Sequence, residues 1–214
     1  PATYQVGDRR PLASRGWGVS QRVAKWLAEH GATPNVISVA GMICGIIAGT
    51  ALFLTSQPIS PAPLFWLAGA LFVQLRLLAN LFDGMVAVLR QTASPVGELF
   101  NEIPDRISDA ATLIGFGYAA GSNVLLGFFA TCLAIFLAYV RVQGKVAGAS
   151  QEFCGPMAKQ QRMAAVTIAS VVCALLPMAM VWQLPKWTLV IIIAGGVVTV
   201  IRRLYRITRT LQNR

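Results

Sequence analysis

Five of the eight acidic residues in the chain, Asp83, Glu98, Glu102, Asp105 and Asp109, fall within 27 consecutive positions, with Asn80 and Asn101 among them. Asn80, Asp83 and Ala87 follow i, i+3, i+7, and Gly97, Asn101, Asp105 and Asp109 follow four-residue steps, so each set lies along one face of a helix. If the chain bends back about residue 93 or 94, Asp83 stands level with positions 104 and 105, and the two polar faces meet. Carboxylate and amide oxygens converging from two helices are what hard divalent cations such as magnesium take, and magnesium usually shares its shell with substrate phosphates. Gly84 and Gly97 remove side chains where a bulky ligand must approach the backbone. The residue types describe a metal-assisted phosphate site.

The elements that must hold this site are membrane helices. Over 214 residues, 56% are hydrophobic and 12% charged, and the mean hydropathy is +0.62, which excludes a soluble globular domain. Apolar runs near the roughly 20 residues needed to cross a bilayer account for most of the chain. The patterning predicts an all-α integral membrane protein with six transmembrane helices, at about 35–55, 63–91, 97–121, 122–146, 160–182 and 186–210. An amphipathic juxtamembrane helix over 16–30 precedes them, with Trp17, Val19, Val23, Trp26 and Leu27 set against Arg15, Arg22 and Lys25. The domain reading is an N-terminal segment over 1–30 and a six-helix domain over 31–214. Thr33 or Asn35 can cap the first span, with Pro34 in its first turn. Gly41, Gly45 and Gly49 form two overlapping GxxxG patterns, a signature of close helix packing. Ionisable groups inside such helices cost about 2.5–3.5 kcal/mol each, so the acidic cluster is functional by default.

The formal charge of +10 comes from basic residues in short stretches between apolar runs, which points to lipid head groups and phosphate-bearing substrates and not to nucleic acid. Five Lys and Arg precede the first span and five follow Ile201, whereas the segments after the first and third spans carry none, so both termini are expected in the cytoplasm. The first thirty residues show no signal-peptide pattern and are expected to stay on the chain. Cys44, Cys132, Cys154 and Cys173 lack metal or redox spacing and read as packing residues. His30 reads as a helix-end residue, and Trp17, Trp26, Trp182 and Trp187 as interfacial anchors.

The run Asp83-Gly84-Met85-Val86-Ala87, with Gly97, Asn101 and Asp105 following, resembles the motif of the CDP-alcohol phosphotransferase family, Asp-x-x-Asp-Gly-x-x-Ala-Arg, about eight residues, then Gly-x-x-x-Asp-x-x-x-Asp. Pro34-Asn35 resembles the family's Pro-Asn pair before its first span, and six helices after an interfacial helix is the family's architecture. The chain departs from the motif at its first and third aspartates, here Asn80 and Asn101, and at its arginine, here Val88, for which Arg90 is a stand-in. Asn101 to Asp109 reads Asn-Glu-x-x-Asp-x-x-Ser-Asp, a divergent branch in which Glu102 and Asp109 keep four carboxylates in reach.

The resemblance implies transfer of a substituted phosphate, such as phosphatidyl, from a CDP-linked donor such as CDP-diacylglycerol to an alcohol, releasing CMP, in phospholipid synthesis. It implies one or two magnesium or manganese ions on Asp83, Asn80, Asn101, Glu102 and Asp105, with Asp105 as the base and Asp109 as its alternative. Gly84, Ala87 and Gly97 would line the cytidine pocket, closed by Asn35 and Ser38. Arg141, Lys145, Lys159 and Arg162 would bind an acceptor or lipid phosphate, or merely touch head groups. A homodimer in a bacterial inner membrane is expected. Arg76 either reaches the site or neutralises buried carboxylates.

Two rivals come from other classes. A small ion-coupled transporter would place polar groups near the midplane of several helices and carry repeated halves, and this cluster lies toward one end of two helices. A non-catalytic relative that binds a CDP-lipid without turnover is motivated by Asn80 and Asn101.

Overall fold

The computed structural model describes residues 16–58, 61–92 and 95–213. The polar stretch before residue 16, the expected bend at 93 and 94 and the Glu98 side chain lie outside what is described. Helix α1 (Gly18–Glu29) leads through Gly31, whose φ of +82° suits a residue without Cβ, into α2 (Pro34–Leu54). Of the two candidate caps, Thr33 is the one used: its hydroxyl accepts from the Val36 N–H at 3.4 Å, and Pro34 fills the first turn. Then come α3 (Ala62–Leu89), α4 (Pro95–Tyr118), and α5 (Val124–Val146), the last capped by Asn123 on the Leu126 N–H at 3.0 Å.

The span expected over 160–182 is shorter. Helix α6 runs Lys159–Leu175, a single turn α7 (Met178–Val181) follows, and α8 (Leu184–Gln212) closes the chain. The cause is Pro177, which drives Leu176 out of the helical region to φ −127°, ψ 88°. The apolar run continues to 182, and its composition hides the break.

All elements among the described residues are helical. Four of them, α2, α3, α5 and α8, are long and apolar enough to cross a membrane. Helix α4 falls outside that group because its first half is charged, and α6 because its 17 residues rise only about 25 Å, short of a hydrocarbon core of about 30 Å. The outer surface is apolar, with Ile43, Ile47, Leu125, Phe129 and Ile191 exposed, a covering that water does not tolerate on this scale. On α1 the buried positions are the small Ser20 and Ala24, while Trp17, Val19 and Trp26 point outward.

The six long helices form a closed ring: α2 packs on α4, α4 on α5, α5 on α8, α8 on α6, α6 on α3, and α3 on α2 again. Helices α3 and α4, neighbours in sequence, touch little, because α2 lies against both. Inside the ring, Trp66 and Phe116 meet edge to face at 6.2 Å among Leu52, Leu113, Met163, Val166, Leu189 and Ile192.

Helix α2 occupies its place through glycine. A Cβ on Gly41 would lie 2.8 Å from the Ala79 Cβ on α3, one on Gly45 2.4 Å from the Ser108 Cβ, and one on Gly49 2.1 Å from the Ala111 carbonyl oxygen on α4. Both GxxxG patterns are thus used, one end against α3 and the other against α4, as small residues are in membrane helix pairs. Gly49→Ala therefore forces α2 and α4 apart and is expected to cost at least about 1–3 kcal/mol, whereas Gly18, with no atom within 4 Å of such a Cβ, accepts alanine. Thermal unfolding of the two variants in detergent, followed by size-exclusion chromatography, checks this: Gly49→Ala should unfold at lower temperature and Gly18→Ala should match the parent.

Candidate active site between helices α3 and α4

Polar residues of α3 and α4 meet across the gap beside α2. Asp83 is buried on α3, and its Oδ2 accepts from the Ser38 hydroxyl of α2 at 2.8 Å. Ser38, expected at the nucleotide pocket, thus also orients this carboxylate. Among the described residues no Lys or Arg lies within 4 Å of Asp83. One turn earlier on the same face, the Asn80 side-chain nitrogen is buried without a hydrogen-bond partner. Exchanging the two ends of that amide turns the orphaned atom into an oxygen that can serve as a ligand. Gly84 and Ala87 follow on α3, half-buried, with Gly97 half-buried in the second turn's approach on α4, and Asn35 is exposed at the start of α2.

On α4 every described carboxylate is paired with cations. Asp109, 1% exposed, binds Arg76, lies 3.4 Å from Arg162 and 3.8 Å from Arg106. Asp105, 14% exposed, binds Lys159, with Arg106 at 3.4 Å and Arg76 at 3.7 Å. Glu102 is the most open of the three and binds Arg141, with Arg106 at 3.5 Å. Asn101, half-buried, precedes Asp105 by one turn. Asp105 is near enough for its charge to act on Asp83, and Lys159 acts on both.

Arg76 ties the two helices together. It is fully buried on α3, two turns from Asp83, and its Nε donates to the Ser108 hydroxyl at 2.6 Å while Nη2 reaches the Asp105 carbonyl at 3.3 Å and the Asp109 carboxylate. Both of its expected roles are thus met in one place: it neutralises buried Asp109 and reaches Asp105. Arg106 and Ser108 were missed as site residues, although helical spacing gives a signal: Arg106 lies at i+4 from Glu102 and i−3 from Asp109. Arg90 donates to the Gly31 and Ala32 carbonyls at 3.2 and 2.9 Å, fastening the end of α3 to the α1–α2 turn, and makes no ion pair with a described carboxylate. It does not stand in the cluster as a motif arginine would.

The four expected phosphate-binding cations divide. Lys159 and Arg162, at the start of α6, and Arg141, on α5, all engage carboxylates of α4, and Arg141 also stacks over Phe153 at 5.5 Å. Lys145 is exposed one turn beyond Arg141. The acidic and basic sets therefore form one site.

Among the described residues no three Asp, Glu, His or Cys side chains converge on a common point. The described hard-oxygen groups without a cation partner include Asp83, which accepts from the Ser38 hydroxyl and the Gly84 N–H, and the orphaned Asn80 amide, chemistry that fits a divalent ion whose shell is completed by substrate oxygens. The described carboxylates of α4 are already paired with cations.

A helical membrane protein with opposed polar faces on two successive helices, next to a cationic rim, is built to handle phosphate at the edge of a bilayer. The profile of the CDP-alcohol phosphatidyltransferase family matches residues 32–201, and the chain belongs to that family. Its activity is accordingly that of a CDP-alcohol phosphatidyltransferase in phospholipid synthesis. Inner membrane protein YnbA of Escherichia coli (strain K12) is 29% identical over 167 residues, covering 77% of this chain and 79% of that protein. Phosphatidylinositol phosphate synthase of Mycolicibacterium smegmatis is 25% identical over 197 residues, covering 88% of this chain and 83% of that protein. The fold is that of Mycobacterium tuberculosis phosphatidylinositol phosphate synthase, with a TM-score of 0.69 at 20% identity over 88% of each chain in the structure with manganese and citrate. The structure of the same enzyme with CDP-DAG bound also gives 0.69, over 88% of this chain and 93% of that one.

Removing one partner of a buried ion pair leaves the other charge stranded, at about 3–5 kcal/mol. Arg76→Met is therefore expected to lower the thermal midpoint strongly, and Arg76→Met combined with Asp109→Asn to recover part of the loss, measured as detergent-phase thermal stability.

Proposed function

We propose that this chain transfers the phosphatidyl group of CDP-diacylglycerol to an alcohol, with its site at the cytoplasmic face of a bacterial inner membrane. All six long helices pass through the bilayer in this reading, with α1 lying in the interface and both termini inside. The charge distribution along the chain supports that orientation, and the polar halves of α3 and α4 then lie together at the inner leaflet. A homodimer is the proposed assembly.

The observation that carries the assignment of roles is the contrast between Asp105 and Asp109. Asp109 is almost wholly enclosed and held by Arg76 and Arg162, whereas Asp105 keeps an accessible edge one turn nearer the α3 carboxylate. Asp105 is the proposed base, and Asp109 anchors Arg76. The acceptor hydroxyl oxygen attacks the phosphatidyl phosphorus, its proton passes to Asp105, and the bond to the bridging oxygen breaks, so that CMP leaves with that oxygen. Asp83 and Asn80 of α3, with Asn101 of α4, are the residues proposed to hold a magnesium or manganese ion. When bound, the ion polarises the phosphoryl oxygens and offsets charge on the departing CMP. Gly84, Ala87 and Gly97 give the nucleotide access to backbone, with Asn35 at the edge of that space. Arg141 and Lys145 form the rim from which a phosphate on the acceptor or a neighbouring lipid would be held, while Glu102 orients Arg141.

The test is CMP release by the purified chain with CDP-diacylglycerol and magnesium across a panel of alcohols that includes glycerol phosphate, inositol phosphate, serine and choline. One acceptor should support metal-dependent release, with Asp105→Asn lowering it about 10²–10⁴-fold, the usual worth of a positioned base, and Asp83→Asn abolishing the metal response. CDP-lipid binding without release on any acceptor would instead establish the non-catalytic relative suggested by Asn80 and Asn101.

A further inference from the structure

Among the described residues the carboxylates of the site are matched by cations of the chain, which is not what two divalent ions need. Around the α3–α4 gap stand four described carboxylates, Asp83, Glu102, Asp105 and Asp109, against five cations, Arg76, Arg106, Arg141, Lys159 and Arg162. The described carboxylates are thus already matched by cations of the chain before any metal binds, and each divalent ion would add two more positive charges. Two positions that would contribute carboxylates in the family motif are the neutral Asn80 and Asn101. Repulsion between like charges in a poorly hydrated site grows as the local dielectric constant falls, so a second ion is opposed by several nearby charges at once.

The cations are not equivalent. Arg76 and Arg162 are enclosed and turned to Asp109, and Arg141 faces Glu102 at the rim. Lys159, the first residue of α6, is the one ammonium among these five cations and makes the shortest contact with Asp105, which Arg106 approaches at 3.4 Å and Arg76 at 3.7 Å. An ammonium is a compact point charge with three donors, closer to a metal ion in size and field than a planar guanidinium. Asp105 takes one of those donors, and two remain for phosphoryl oxygens.

We propose that Lys159 is a built-in replacement for a second divalent cation, so that the site holds one metal ion, on Asp83 and Asn80, and carries its other positive charge on the chain itself. This rests on the reading of the site as a metal-assisted phosphatidyltransferase and specifies its cofactor.

The experiment counts manganese ions on the purified full chain in nanodiscs by calorimetry and electron paramagnetic resonance, with no CDP compound present. The parent is expected to bind one ion per chain. Asn80→Asp combined with Asn101→Asp should still bind one, and adding Lys159→Met to that pair should admit a second. Two ions on the parent, two on the double variant, or one on the triple variant would each overturn the proposal. Lys159→Met alone provides an arm that does not depend on the triple variant folding. Removing a positive charge near the ion should tighten manganese binding at least about tenfold, and unchanged or weaker binding would overturn the proposal. CMP release by the parent, measured separately, judges the enzymatic reading, so an inactive chain with one ion and an active chain with two are distinct failures.

Discussion

A carboxylate set among membrane helices must be neutralised where it stands, because neither water nor salt reaches it cheaply. The buried contact of Arg76 with Asp109 meets that requirement and also determines how α3 and α4 are arranged. The guanidinium spans the gap between two helices whose backbones barely approach, and it engages Ser108 and the Asp105 carbonyl as well as the carboxylate. Several donors fixed in one plane define both distance and register, which a single lysine contact would leave looser. Arg162 from α6 completes the enclosure, so that Asp109 is joined to two other helices. Asp105, one turn away, inherits its place from this arrangement.

The ring of helices explains why the gap exists at all. Consecutive helices joined by a short connection would ordinarily pack along their length, but α2 lies against both α3 and α4. Its glycines let α2 approach α4 so closely that Thr112 donates to the Gly45 carbonyl at 3.4 Å, and Gly115 faces the Gly49 backbone. At the other end of α2, Ser38 comes down onto Asp83 of α3. Helix α2 thus serves as a spacer whose thickness is fixed by missing side chains, and the polar halves of α3 and α4 are left with room for side chains and ligand between them. Pro104, inside α4 and immediately before Asp105, also removes an N–H that would otherwise bond the Phe100 carbonyl, loosening the helix beside the cluster.

Much of this was legible in the sequence because periodicity and charge are local properties. The i, i+3, i+7 and i+4 spacings placed Asn80, Asp83, Asn101 and Asp105 on helix faces, and the glycine spacing in α2 announced close packing. What was not legible was pairing across the ring. Lys159 and Arg162 looked like a separate phosphate rim, since nothing in the order of the chain says that α6 packs on α3 and brings them onto α4 carboxylates. Arg106 read as one more charge in a polar half-helix, although it touches three carboxylates. The end of α6 was missed for a different reason: hydropathy continues through Pro177, and only the backbone restriction imposed on Leu176 stops the helix.

The departures from the family motif are easier to understand as one change than as three. Replacing an aspartate by asparagine keeps the shape and one oxygen but removes a charge, and two such replacements in a site already ringed by arginine and lysine shift its balance toward the positive. In the proposed reading such a site attracts a pyrophosphate through its own cations, because a nucleoside diphosphate brings several negative charges, and is correspondingly less demanding of metal. Among the described carboxylates of the site, Asp83 is then the one without an ion pair, held instead by a neutral hydroxyl and a backbone N–H. A hydroxyl orients a carboxylate without cancelling its charge. In the proposed reading that combination, one carboxylate held by a hydroxyl beside others paired with cations, separates the place where a metal can sit from the place where a proton can be taken, and it does so with residues from α2, α3, α4 and α6 that no single motif contains.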